Sequence, residues 1–226
     1  MATNESFEVV LAKGDVDVDA EDIEIAEVLG SDGKNGNASN LAHEAHDTAV
    51  SKSIRDIAIW EMRSKGVVIS DCESKDALKV FPKVAGLAKK VHDSGTVGTA
   101  FEKAVNSEPG ITSQFTALAQ RNATRWGSER RCLQTYQELW PAVNKILADK
   151  DLKLASYKLN TAQERMIKEL RVLLDAHDEV IKAFQYHNRP LIIDVIPAFE
   201  DLQHILLGIS SCDAFLAVTH VASYAT

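Results

Sequence analysis

A mainly α-helical bundle is the fold class this chain predicts, and three observations predict it. From residue 40 onward apolar side chains recur at intervals of three and four, the period of a helix face. No series of strands, no strand–helix rhythm and no internal repeat emerges. Glycine and proline are few, 11 and 5 among 226 residues, so neither collagen-like nor linker-like character is general.

Residues 1–38 stand apart as a first unit. They alternate acids with small apolar side chains and end in "GSDGKNGNAS", with too little bulk to offset ordering entropy, which predicts a disordered acidic tail. Residues 1–36 hold ten acids against two lysines, so this end carries the whole net charge of −8. The rest balances at 23 acids and 23 Lys and Arg, so overall acidity does not argue against nucleic-acid binding. "DVDVDAEDIEIA" invites a calcium-loop reading, but its sixth position is Ala20 and its twelfth Ala26, where Gly and Glu are required.

Residues 39–226 form the second, helical unit. Leu41, Ala45, Val50, Ile54, Ile57 and Ala58 fall on one helix face, and Gly66 supplies a stop. "VVIS", 67–70, reads as a short extended stretch. Ala77, Val80, Phe81, Val84, Leu87, Ala88 and Val91 form a second apolar stripe, with Lys79, Lys83, Lys89 and Lys90 on the outer face and a kink or restart expected at Pro82. "DSGTVGTAFEKAVNSEPG" gives a turn, a short helix and a loop. Leu133, Tyr136, Trp140, Val143 and Leu147 make the next stripe, bent at Pro141. The clearest helix covers 161–186, capped by Asn160 or Thr161, with Ile167, Leu170, Leu174, His177, Ile181 and Phe184 on one face. "NRPLIIDVIPAFEDLQHILLGIS" follows, with a stripe of Ile192, Val195, Ile196, Phe199, Leu202, Leu206 and Ile209 and a bend at Pro197. "SCDAFLAVTHVASYAT" reads as one more short helix. Four or five amphipathic helices on short loops make a small bundle, part of a larger architecture.

Chemistry is sparse. "HEAH", 43–46, has the wrong spacing for a zinc-protease pair. His177 within an apolar stripe reads as a core histidine bonded to a neighbour. Cys132 follows Arg130 and Arg131, which would lower its pKa, but an inward-facing position makes it a small hydrophobe. Three well-separated cysteines, 72, 132 and 212, are not a disulfide framework. No phosphate-binding glycine loop, signal peptide or membrane span is found.

"NATRWGSERR", 122–131, is the exception. Arg121, Arg125, Arg130 and Arg131 put four guanidiniums within eleven residues beside Trp126, with Glu129 the one acid. Guanidiniums suit phosphate and an exposed indole suits a base. The alternative is that Trp126 staples the start of a helix and the arginines are solvated.

"ATRWGSERRCLQTYQELWPAV" resembles the Thr-Arg-Trp-Asn-Ser motif, and the helix after it, of hAT superfamily DNA transposases. "FPKVAGLAKKVHDSGTVGTAFEKAV", "LNTAQERMIKELRVLLDAHDEVIKAF" and "RPLIIDVIPAFEDLQHIL" resemble neighbouring segments in the same order, so the resemblance covers about residues 76–220, closest in style to the fungal branch. It implies a helical insertion region of an incomplete ribonuclease H-like domain, in a nuclear protein. In that family the catalytic carboxylates, which would hold Mg or Mn, lie before and after the stretch present here. No catalytic residue is therefore carried over, no cofactor is expected and no enzyme activity is expected of this chain alone. Thr124, Arg125 and Trp126 match the motif, and the family's Asn is Gly127, a change that would loosen the loop. The resemblance implies DNA contact at Thr124, Arg125 and Trp126, flanked by Arg121, Arg130 and Arg131. Expected partners are DNA, other transposase subunits or a second copy of the chain, and no membrane. The alternative function is a structural, protein-interaction module without nucleic-acid binding.

Overall fold

The structure, a computed structural model, describes residues 38–121, 127–185, 192–212 and 214–225; for 38–49, 51, 183–185, 192–194 and 224–225 it describes the backbone alone. The expected acidic tail lies outside these residues. Among them are eight α-helices and no strand: α1 (Ala38–Ser64), α2 (Asp71–Asp93), α3 (Gly95–Ser107), α4 (Ser128–Glu138), α5 (Trp140–Ala148), α6 (Thr161–Gln185), α7 (Ile192–Ser210) and α8 (Ala217–Ala225). Two 3₁₀ turns, Lys150–Leu152 and Ala155–Tyr157, join α5 to α6. The mainly helical class holds, with eight helices among the described residues where four or five were expected.

Local chemistry explains most ends. Gly66 terminates α1 in the left-handed region (φ +87°), with Val67 N–H donating to Met62 O and Gly66 N–H to Arg63 O at 2.9 and 3.1 Å. That pair of bonds is a Schellman cap. Ser70 caps α2 through Glu73 N–H at 3.1 Å. Asn160 caps α6 reciprocally: its Oδ1 accepts from Gln163 N–H at 2.8 Å, and Gln163 Oε1 accepts from Asn160 N–H at 3.2 Å. The bend expected at Pro141 becomes a full break, with buried Leu139 separating α4 from α5. No new helix begins at Pro82, which sits inside α2, and Pro197 lies inside α7 as expected.

The main core gathers the predicted stripes of α2, α4, α5 and α6 with α3. Val80, Val84, Leu87, Phe101, Leu133, Tyr136, Leu139, Val143, Met166 and Ile167 are all buried. Gly86 is required here. A Cβ on it would come 2.7 Å from the Tyr157 ring, so glycine lets the second 3₁₀ turn lie against α2. A smaller core joins Leu173 and Ala176 of α6 to Leu202, Leu206 and Ile209 of α7. A third joins Ala58 and Met62 of α1 to Val221 of α8.

Two stripes are corrected. On α1 Ala58 is buried as expected, but Val50, Ile54 and Ile57 of the same predicted stripe are exposed, and the buried face continues to Met62, about a quarter-turn around from them. On α7, Leu202, Leu206 and Ile209 are buried as expected, but Ile196 and Phe199 are exposed. The physical reason is shared. Among the described residues α1 packs mainly on short α8, and α7 on α8 and α6, too little surface to cover a wide apolar band.

The end of the bundle is held by charge. Glu169 on α6 is buried, and its Oε2 accepts from Leu216 N–H at 2.8 Å and from the Thr219 hydroxyl at 2.6 Å. Arg165 Nε donates to the other oxygen at 2.8 Å. Glu73 on α2 accepts from Val218 N–H at 3.2 Å. Two carboxylates from two helices thus meet the free N–H groups at the start of α8, where a helix dipole favours negative charge.

Candidate functional site

The arginine-rich turn was the one constellation pointing to a ligand. Thr124, Arg125 and Trp126 lie outside the described residues. Gly127, Arg121, Arg130 and Arg131 are described, and they surround the start of α4. Gly127 is its N-cap, at φ +78°, ψ 1°. This left-handed conformation suits glycine, and asparagine better than most other side chains. The expectation that glycine loosens the loop is therefore replaced by a specific backbone requirement.

Two of the three described arginines, Arg121 and Arg130, are tied to carboxylates. Arg121 Nε meets Glu129 Oε1 at 3.0 Å on the surface. Arg130, only 23% exposed at its side chain, points across to α6, where Nε donates to Asp175 and Nη1 meets Asp178 Oδ2 at 3.2 Å. Lys182 closes on the same Asp178 oxygen at 2.7 Å, and Arg171 reaches Glu138 and Asp175 at 3.8 and 3.7 Å. Three cations and three carboxylates thereby neutralise one another along the α4–α6 seam. A Cβ placed on Gly127 would lie 3.6 Å from Asp178 Oδ1, so a carboxylate already stands beside the helix start that would otherwise draw a phosphate. Arg131 differs. It is exposed, makes no carboxylate contact among the described residues, and lies over the Phe115 ring at 5.8 Å, within cation–π range.

Burial decides the nearby titratable groups. The Cys132 thiol is pushed up to about 12, first by burial and then by Glu129, with Arg121 opposing. The expected lowering by adjacent arginines loses to burial. Cys132 is thus the small core hydrophobe, not a nucleophile. Glu138 is held below its usual range by hydrogen bonds from Ser113 and Gln134, with Arg171 adding to them. His177 Nδ1 lies 2.8 Å from Leu173 O, the neighbour-bonded role expected of it. The His43 and His46 side chains lie outside the described residues.

Sequence reasoning missed the carboxylates that face Arg130, because they lie 45 and 48 residues away on another helix. The signal was present: Asp175, Asp178 and Lys182 sit at spacings of three and four on the polar face of α6. It also missed the outward apolar residues. Val50, Ile54 and Ile57 line one side of α1, followed around the helix by Trp60, which is 67% exposed. Ile196, Phe199 and Leu207 form a comparable band on α7.

No helix among the described residues is long and apolar enough to cross a membrane. Compared with protein-family models, with curated proteins and with solved structures, the chain matches none.

Proposed function

We propose that this chain works as a helical interaction module, binding a protein partner through the outer faces of α1 and α7, with a second copy of itself as the first candidate. The carrying observation is the α1 face of Val50, Ile54 and Ile57 with Trp60, apolar and outward on a helix whose opposite flank is already seated on α8. Contiguous exposed apolar groups around a tryptophan are the usual core of a protein interface. Fully burying a large side chain contributes about 1.5–3 kcal/mol, and these four are about half exposed, so covering them supplies a gross driving force on the order of 3–6 kcal/mol. Neutralisation of Arg121 and Arg130 by carboxylates supports the same reading, since it leaves little positive field there to hold a polyanion. Sedimentation velocity over a concentration series tests it. The wild type should shift from monomer to dimer or higher species, and the Ile57→Ser, Trp60→Ser double variant should stay monomeric with unchanged helicity. A wild type that remains monomeric at every concentration overturns the reading.

A second reading keeps DNA contact at the arginine-rich turn, within an hAT transposase-like, catalytically silent nuclear scaffold. The observation in its favour is Gly127, whose left-handed backbone is one that asparagine, the residue at this place in the motif it resembles, tolerates better than most side chains. Mg or Mn would belong only to a complete transposase, so binding should need neither. Duplex DNA binding should fall steeply with salt. Arg131→Ala should weaken it, whereas Arg130→Ala should lower stability instead, because it strands Asp175 and Asp178. Salt-independent or absent binding removes this reading.

A further inference from the structure

On α2, Lys75, Lys79 and Lys83 follow one another at intervals of four, which sets them about 6 Å apart and within about 80° of one helix face. The linker between α5 and α6 brings a fourth cation to this row. The Tyr157 ring seats against Gly86, one turn further along, and Lys83 Nζ donates to Lys158 O at 2.9 Å, so Lys158 lies beside the row. Lys75 and Lys158 are exposed and make no ion pair among the described residues. The nearest acids of α2 are turned to other groups. Asp76 accepts from Asn160 Nδ2 at 3.0 Å, and Glu73 from Val218 N–H at 3.2 Å. Counting both, four ammoniums stand against two carboxylates. Water solvates each lysine singly, but the line of one sign remains, and such a line attracts a chain of opposite charges.

A matching row stands in the chain's own first residues. Asp15, Asp17, Asp19 and Glu21 alternate with Val16, Val18 and Ala20, a pattern found nowhere else in the sequence. In an extended chain residues two apart share a face and stand about 6.6 Å apart, close to the lysine interval of about 6 Å. Reach is sufficient. The stretch from Glu21 to Ala38 extends to about 56 Å, against about 39 Å for the whole of α1, whose far end leads into α2. Tethering adds to charge: a linked segment meets the row at an effective concentration near millimolar, an advantage that a free nucleic acid lacks.

We propose that residues 15–21 lie extended along α2, with their alternate acids against Lys75, Lys79, Lys83 and Lys158. Exposed pairs of this kind are individually weak and screened by salt, so the hold depends on several acting together. The acidic end then serves as a built-in counter-charge. It covers the lysine row and keeps other polyanions off α2.

A nitroxide spin label at residue 20 of the ¹⁵N-labelled full chain tests this. Ala20→Cys carries the label, Cys72→Ser and Cys212→Ser remove the exposed native thiols, and buried Cys132 stays unlabelled. At about 0.01 M salt, where the Debye length is about 30 Å, the amides of residues 75–83 and 158 should broaden selectively; at about 1 M, where it is about 3 Å, they should recover. Asp15→Asn, Asp17→Asn and Asp19→Asn together should remove most of the broadening, as should Lys75→Gln with Lys79→Gln. Glu5→Gln with Glu8→Gln, a change of charge outside the alternating run, should leave it in place. A short DNA duplex should bind residues 75–83 more tightly in the triple asparagine variant than in wild type, because the counter-charge no longer has to be displaced. Broadening that is absent at low salt, spread over the bundle or lost equally with the Glu5 and Glu8 changes overturns the proposal. Equal duplex binding by the two proteins does the same. So does broadening in a mixture of spin-labelled, unenriched chain with unlabelled ¹⁵N chain, which would give the row to another copy.

Discussion

Replacing Glu169 by alanine should unfasten α8 and loosen α1 with it. The carboxylate accepts from Leu216 N–H, from the Thr219 hydroxyl and from Arg165, at 2.8, 2.6 and 2.8 Å. The first two donors are at the buried end, and a hydrogen bond to a charged group contributes about 1.5–3 kcal/mol net. The Arg165 arm is half exposed, so it adds at most about 1 kcal/mol. Glu73 still holds Val218 N–H at 3.2 Å, so part of the cap survives. The expected loss is therefore about 3–5 kcal/mol, a third or more of the stability of an ordinary domain. Urea unfolding followed by circular dichroism reads the global value. Hydrogen exchange reads where it goes, with residues 216–225 losing protection first and residues 58–62 with them, since α8 covers Ala58 and Met62. Glu169→Gln, which keeps one good acceptor, should lose about half as much. A loss below about 1 kcal/mol with the 216 amide still protected would refute the argument, because it would mean the charge contributes nothing to holding α8.

Other outcomes follow from the same geometry. Gly86→Ala should destabilise the fold by about 1–3 kcal/mol despite alanine's better helix propensity, because the new Cβ meets the Tyr157 ring at 2.7 Å; thermal melts should show it, with partial rescue by Tyr157→Leu. Under native conditions Cys72 and Cys212, both exposed, should react readily with a thiol reagent, and buried Cys132 only on unfolding. The folded Cys132 thiol is raised from 9.0 to about 12, so its contribution is complete below about pH 9 and is lost as pH climbs toward 12. Cys132→Ala should flatten that alkaline decline in a urea-stability profile.

What the sequence disclosed depended on how far apart the interacting residues lie. Helix existence, the Gly66 stop, the Asn160 cap and the Cys132 environment rest on neighbours within a turn or two, and the local pattern carried them. The α2 stripe was legible because a single run of apolar residues faces one crowded core. The direction of α1 was not, because several apolar residues surround that helix and only the distant Val221 selects Ala58 and Met62 as the buried pair. The arginine cluster shows the same limit: Arg130 looks free until Asp175 and Asp178 arrive from α6. Whether Pro82 would kink one helix or start another was likewise undecided, since tertiary packing can hold a helix together where a missing N–H would break it in isolation.

The seat of α1 on α8 has a consequence for biosynthesis. A ribosome releases residues 38–64 long before residues 217–225, and the pocket made by the later segment does not exist until then. During that interval the early helix presents Met62 as well as its outer tryptophan to solvent, so the first-made helix cannot be seated until the last-made one emerges.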